Sequence, residues 1–338
     1  SLRYPKKNDI LIYDDVRSGC IKKYLKNYTV YFTRRYHHTT IIYLPILLEC
    51  LIKFNLNFSN YKKYFITHVK PKVIITSNDN HLDFFKIKNI FPKIKIIAIQ
   101  GFWKFDVDHD IIFFRNKLNK SKLKCDYFFC YNKYIVSKYK KFINCENFID
   151  IGSFESNTFP IKKKIKKGSI TFISQFKIND DLDHWHGKYT MGDHRLEEKK
   201  FLQELNKSIL NGKKIKILAK TKKKEEYSYY KNIFGNNFQL IPRSVRSSSV
   251  KKNSVKKKIF NHLDQSEIII TLDSTLGYEA LARGKKVIFF SIRTNLNKSS
   301  QSMIRFCWPQ TKPQKGLNWT TSYKQTEINR LFKIRDLC

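Results

Sequence analysis

Short apolar runs alternate with longer stretches of mixed character almost throughout this chain of 338 residues. The runs are nearly continuous in Val, Ile, Phe and Tyr rather than alternating with polar positions. Strands buried on both faces of a parallel sheet read this way. In the first half the pattern predicts strands over 9–14 (DILIYD), 29–33 (TVYFT), 72–76 (KVIIT), 94–100 (IKIIAIQ), 125–131 (CDYFFCY) and 147–152 (NFIDIG). Helices are expected between them near 40–56, 81–90 and 133–143.

The stretch FPIKKKIKKGS (159–169) then combines Pro, Gly and a lysine run, the composition of a domain boundary. A second series follows, with strands over 169–176, 214–220, 238–241, 267–272 and 286–291. Its helices are expected near 194–210, 223–233, 254–264 and from 274 onward. Two successive series of this kind predict an α/β protein with domains 1–158 and 159–338, each doubly wound, facing one another across a cleft.

Other readings of the pattern are narrower. The most apolar segment, TIIYLPILLECLI (40–52), falls short of the roughly 18 residues a membrane span needs and carries Pro45 and Glu49, so a buried helix is expected. The N-terminal residues lack the apolar core of a signal peptide. Seven cysteines, odd in number and without a CxxC pair, fit free thiols in a reducing cytoplasm rather than a disulfide framework.

Charge changes the picture only in part. Lys and Arg total 66 against 28 Asp and Glu, a formal net charge of +38. Lys far outnumbers Arg, and Ile, Asn, Phe and Tyr are abundant too, the set that AT-rich codons supply. Codon drift onto solvated faces therefore competes with a functional reading. Where the charge is functional, the expected partners are an anionic bilayer at the inner face of the membrane or a nucleotide-linked substrate. A nucleic-acid-binding module is the rival from another class. It calls for cations gathered with exposed aromatics on one face, whereas these lysines are spread along the whole chain.

The chemistry concentrates at strand-to-helix turns, because ligands of open α/β sheets sit beyond the carboxyl ends of the strands. In EIIITLDSTLGYEALARG (267–284) a strand ends at Asp273-Ser274-Thr275 and a helix follows, with Gly284 as its stop. Ser274 or Thr275, with exposed helix N–H groups, can cradle a phosphate, and Glu279 can reach a ribose hydroxyl. A capping box would use the same residue types. Gly277 permits close approach of a ligand or of a neighbouring strand.

The stretch DSTLGYEALARGKKVIFF resembles the donor-nucleotide element of GT-B glycosyltransferases that build bacterial surface carbohydrates. Matching segments occur in order: KPKVIITSNDN (70–80), IIAIQG (96–101), CDYFFCYNKY (125–134), IGSFESN (151–157) and TFISQF (171–176). The resemblance covers roughly residues 70–291. It points toward retaining transferases that use CMP-Kdo and, more distantly, toward polyol-phosphate transferases of teichoic-acid assembly. What it implies is a GT-B fold, a nucleotide-sugar donor, a glycan or glycolipid acceptor and no required metal or other cofactor. One departure stands out: relatives often carry Gln-His-Gly after the fourth strand, where this chain has Gln100-Gly101-Phe102. A catalytically idle relative is therefore a further reading.

Other strand-end loops supply the remaining candidates. TSNDNHLDF (76–84) offers Asp79 as general base, with Asn80 and His81 for the acceptor, or else a helix cap. QGFWKFDVDHD (100–110) offers Gln100, Gly101 and Trp103 for the acceptor sugar. SQFKINDDLDHWHGKY (174–189) holds Asp180, Asp181 and Asp183, carboxylates of the kind a double displacement needs, with His184 or His186 for proton transfer. The His-x-His pair lacks the Cys/His cluster of a zinc site. Lys220, Lys222 and Arg243 are the cations expected on the donor phosphates as the nucleotide leaves.

Overall fold

The structure is a computed structural model. It describes residues 1–15, 18–32, 41–79, 81–101, 123–162, 164–176, 191–221, 224–242, 249–272, 274–290, 317, 319–320 and 324–333. The chain divides into two compact units, Ser1–Thr158 and Phe159–Cys338.

The first unit holds six strands: β1 (Ile10–Asp14), β2 (Thr29–Phe32), β3 (Val73–Thr76), β4 (Lys95–Ile99), β5 (Lys124–Cys130) and β6 (Asn144–Asp150). They form one sheet in the order β2-β1-β3-β4-β5-β6, and every pairing is parallel. Its helices are α1 (Gly19–Lys22), α2 (Leu44–Ile52), α3 (Phe58–Val69), α4 (Leu82–Phe85), α5 (Ile87–Ile90), α6 (Lys133–Tyr139) and α7 (Phe154–Asn157). The apolar runs are continuous because both sheet faces are covered: Leu11, Ile74, Ile96 and Phe128 lie fully buried among Phe65, Phe84, Phe85 and Tyr139. A buried carboxylate, Asp126 in the middle of β5, is one polar exception. Burial alone would raise its pKa, but bonds from Lys88, the Ile96 amide and Lys95 outweigh this and hold it below the usual carboxylate range.

The second unit carries β7 (Lys166–Ile173), β8 (Ile215–Ala219), β9 (Phe238–Pro242), β10 (Ser266–Thr271), β11 (Lys286–Phe290) and β12 (Trp319–Thr320). The sheet runs β12-β11-β10-β7-β8-β9, again wholly parallel. Counted within the unit this is the 3-2-1-4-5-6 order of dinucleotide-binding sheets. Pro242 closes β9 on the sheet edge, where its missing N–H breaks no ladder. The helices are α8 (Met191–Leu205), which runs on into a π-helical turn over Asn206–Leu210, α9 (Lys224–Phe234), α10 (Ser249–Gln265), α11 (Thr275–Ala282) and α12 (Gln325–Lys333). Two doubly wound parallel sheets in succession are what the GT-B class is built from.

One expectation is corrected. The segment 40–52 was expected to be a buried helix, yet α2 buries only Ile46 and Cys50 and exposes Leu44, Leu48, Leu51 and Ile52. Among the described residues no helix is long and apolar enough to cross a membrane.

Candidate functional site

In the second sheet the chain builds β7, β8 and β9 to one side, then returns to build β10, β11 and β12 on the other. β7 and β10 therefore lie side by side, with Ile173 in register with Thr271. A crevice beyond the carboxyl ends opens at such a switch point, and the turn into α11 occupies it. Ser274 is the N-cap, in extended conformation (φ −74°, ψ 134°), but its side chain makes no capping hydrogen bond. Its N–H donates instead to Thr271 Oγ1 at 3.3 Å. Glu279 is the fifth helical residue and is buried. The third position, where a capping box puts its Glu or Gln, is Gly277. The capping-box reading of this turn is thus not what the backbone adopts.

Gly277 has a packing role. A Cβ built there meets Thr271 Cγ2 at 2.5 Å and Phe289 Cε1 at 3.1 Å, so the absent side chain lets α11 settle onto β10 and β11. Thr271 is fully buried and its β-branched side chain has little rotameric freedom. Gly277→Ala is expected to destabilise by about 1–3 kcal/mol through overpacking, against a gain of about 1 kcal/mol in helix propensity. Urea denaturation measures the balance, and a net stabilisation would contradict this seating of α11.

Around the same strand ends, one carboxylate missed by sequence reasoning organises the loops. Glu226, in the first turn of α9, is fully buried. Its Oε1 accepts from Ser174 Oγ (2.6 Å) and the Lys220 amide (2.9 Å). Its Oε2 accepts from the Thr221 amide (2.6 Å) and hydroxyl (2.7 Å). These charge-assisted bonds fix the ends of β7 and β8 to the start of α9. Lys220 is consequently anchored by its backbone while its side chain is exposed. The trace of Glu226 in the sequence is an acidic residue just inside a helix, directly after the lysine run at 222–224.

In the first unit the switch point lies between β1 and β3. Asp14, the last residue of β1, is fully buried. Its Oδ2 accepts from Asn78 Nδ2 at 3.0 Å. His81 Nε2 lies 2.7 Å from the same oxygen, off the line of a well-directed hydrogen bond. The imidazole is partly exposed, and its ring meets Tyr13 edge-on at 6.0 Å. Asp79 is differently placed. It is buried, Oδ1 accepts from the Gly101 amide (3.2 Å) and Oδ2 from the Tyr139 hydroxyl, so it ties the end of β3 to β4 and α6. Gln100 is buried as well, and its Oε1 accepts from the Tyr131 amide at 2.9 Å.

The structure thus brings Asp14, Asn78 and His81 together on the first unit. On the second it sets Ser274, Thr275 and Glu279 at the switch point, with Lys220 at the end of β8. Asn80, Trp103, Asp180, Asp181, Asp183, His184, His186, Lys222 and Arg243 lie outside the described residues. Among the described residues no cluster of three metal-ligating side chains occurs.

Fold and switch-point turns define a two-unit α/β protein of two doubly wound parallel sheets. A family model described as "putative O-antigen biosynthesis protein" matches residues 97–335, and the chain belongs to that family. No curated protein matches it by sequence. Among solved structures it is similar to a "putative UDP-N-acetylglucosamine 2-epimerase" from Listeria monocytogenes, at TM-score 0.49 and 9% identity over 83% of this chain and 79% of that one. It is also similar to the UDP-GlcNAc 2-epimerase of Neisseria meningitidis bound to UDP-GlcNAc (TM-score 0.45, 11% identity, 84% and 82% covered). A third likeness is to the wall teichoic acid polymerase TagF (TM-score 0.43, 12% identity, 85% and 71% covered). Likenesses this distant say nothing about chemistry.

Proposed function

We propose that this chain is a nucleotide-sugar-dependent glycosyltransferase of surface-polysaccharide assembly, acting at the cytoplasmic face of the membrane. The second unit holds the donor and the first the glycan or glycolipid acceptor, with CMP-Kdo the first donor to test. The observation that carries the reading is the turn into α11. It stands at the switch point of a sheet in dinucleotide-binding order, and its N-cap hydroxyl is not spent on the helix. In this reading Ser274, Thr275 and the α11 amides hold phosphate, and Glu279 the ribose. Lys220, with Lys222 and Arg243, neutralises the leaving nucleotide, so no metal or other cofactor is required. The family description supports the pathway assignment. For the carboxylate a retaining transfer needs, Asp180, Asp181 and Asp183 are the candidates, with His184 beside them.

On the acceptor side His81 is the better base. Asp79 already accepts on both oxygens, whereas His81 is partly exposed and oriented by a buried carboxylate. Asn80, Gln100, Gly101 and Trp103 remain acceptor-side assignments.

Ser274→Ala tests the donor seat. A working N-cap side chain is worth about 1 kcal/mol, but this one makes no cap bond, so melting should barely move. Nucleotide affinity should fall about tenfold or more, the scale of a lost hydrogen bond to a charged group. Thermal shift with CMP, CDP, UDP and GDP derivatives reads both quantities. A drop in melting temperature with unchanged affinity would sink the assignment. Turnover of CDP-glycerol but not CMP-Kdo would favour the polyol-phosphate transferase reading. Steeply salt-dependent oligonucleotide binding without nucleotide binding would favour the nucleic-acid class.

A further inference from the structure

The outward face of α2 and the turn after it form an apolar surface that the fold does not use. Leu44, Leu48, Leu51 and Ile52 recur at helical spacing on the exposed side, while Ile46 and Cys50 face the core. The stripe continues through Phe54, 97% exposed at the tip of the turn, to Phe58 at the start of α3. Beside it a cavity of about 380 Å³ opens between Ile41, Ile42, Leu56 and Phe58.

Phe54 adds an independent observation. Its φ is +50°, the left-handed conformation in which helices usually place glycine. Bonds from its own amide to Leu51 O and from Asn55 N to Cys50 O, both 2.9 Å, close the turn around it. A bulky aromatic thus sits fully exposed in a backbone conformation that disfavours it. Lys70 ends α3 in the same conformation, φ +53°, so the bulk and apolarity of the exposed side chain are what set Phe54 apart.

Charge selects the occupant. The only acidic residue on α2, Glu49, is neutralised by Lys53 at 2.7 Å and faces His68 at 2.8 Å. The N-terminal segment lies along the helix, Leu2 and Tyr4 bordering Leu44 and Leu48, and carries exposed Arg3, Lys6 and Lys7. A second copy would bring a further +38 of the same sign, whereas an anionic surface is attracted. We propose that α2 and the Phe54 turn dock this chain on an anionic lipid bilayer, lying in its interface with Leu48, Leu51, Ile52 and Phe54 inserted. Apolar insertion and flanking cations are the two signals reversible bilayer binding requires. The proposal does not depend on the activity proposed above, because it is read by binding alone.

The test is flotation of the full chain with phosphatidylcholine vesicles, with and without phosphatidylglycerol. Binding is expected only with the anionic lipid and should weaken as salt rises. Phe54→Gly relieves the left-handed strain, so it should raise the melting temperature while lowering vesicle partitioning about tenfold. Leu51→Ser should lower partitioning similarly with little effect on melting, its side chain being exposed. Unchanged partitioning of both variants would overturn the proposal. So would equal binding to neutral vesicles. A concentration-dependent dimer that Leu51→Ser disrupts, without vesicle binding, would assign the surface to a second copy instead.

Discussion

Asp264→Ala is expected to cost the second unit about 3–5 kcal/mol, the scale of breaking one partner of a buried ion pair. Asp264 is fully buried and Arg283 nearly so. The pair is bidentate, with Arg283 Nε to Oδ1 at 2.8 Å and Nη2 to Oδ2 at 2.6 Å. The same guanidinium donates to the carbonyls of Phe159 (3.1 Å) and Pro160 (3.3 Å), while Oδ2 also accepts from the Lys162 amide (2.8 Å). Above it the Phe260 ring lies 4.9 Å from the guanidinium, stacked in turn on Phe159. The pair therefore fastens the segment entering the second unit to the ends of α10 and α11. Alanine would leave a buried cation without its carboxylate. For a unit of this size the loss corresponds to a fall of about 6–20 °C in the melting transition.

A double replacement separates the charge from the tether. Exchanging both partners for apolar residues of similar volume is often neutral in isolated buried pairs. Here Asp264→Leu with Arg283→Met should recover only part of the loss. The double variant still removes the bonds that tie the half-buried Phe159 carbonyl, the Pro160 carbonyl and the Lys162 amide to the pair, each worth about 0.5–1.5 kcal/mol. Full recovery in differential scanning calorimetry would mean that the tether contributes nothing. An Asp264→Ala variant as stable as the parent would contradict the whole arrangement.

Much of this fold was legible because parallel strands buried on both faces advertise themselves. β1, β4 and β10 carry unbroken apolar runs and β5 is broken only by Asp126, and the structure places each within about two residues of its expected range. α3 was not anticipated. Its centre is Lys62-Lys63, and its apolar positions Phe65, Ile66 and Val69 read as one cluster unless the Asn57 cap is noticed, whose side chain accepts from Asn60 N. β12 spans two residues, too few to show any period. α2 was misjudged because composition cannot tell a helix that is apolar on its buried side from one that is apolar all round. The site divides in the same manner. Ser274, Thr275 and Glu279 lie within one local strand–turn–helix step, so their pattern is visible in a single line of sequence. Glu226 collects donors from two separate segments, the ends of β7 and β8, and Asp14 meets His81 only because β1 and β3 are neighbours in the sheet. Such pairings are set by strand order, which no single stretch encodes.

His81→Ala is expected to lower kcat by about 10²–10⁴, the contribution of a positioned general base, while nucleotide affinity stays within a few-fold. The separation is expected because His81 belongs to the first unit and the proposed donor seat to the second. Asp14 Oδ2 lies 2.7 Å from the ring at Nε2, so the imidazole stands against a buried carboxylate. That carboxylate stabilises the imidazolium formed when the ring takes a proton from an acceptor hydroxyl. Asp14→Asn should therefore also lower kcat, although the imidazole is still present. It leaves an isosteric side chain, and Asn78 can still donate to its carbonyl oxygen. His81→Gln, which keeps a polar side chain but has no basic nitrogen, should be as slow as His81→Ala, a result a merely structural residue would not give. Nucleotide release measured with the donor that gives the largest thermal shift reads all three variants. If His81→Ala retains kcat within threefold and Asp79→Asn abolishes it, the base is Asp79, and its bonds to Gly101 and Tyr139 must open before reaction. Loss of affinity and rate together in His81→Ala would instead mean that the histidine holds substrate in place and moves no proton.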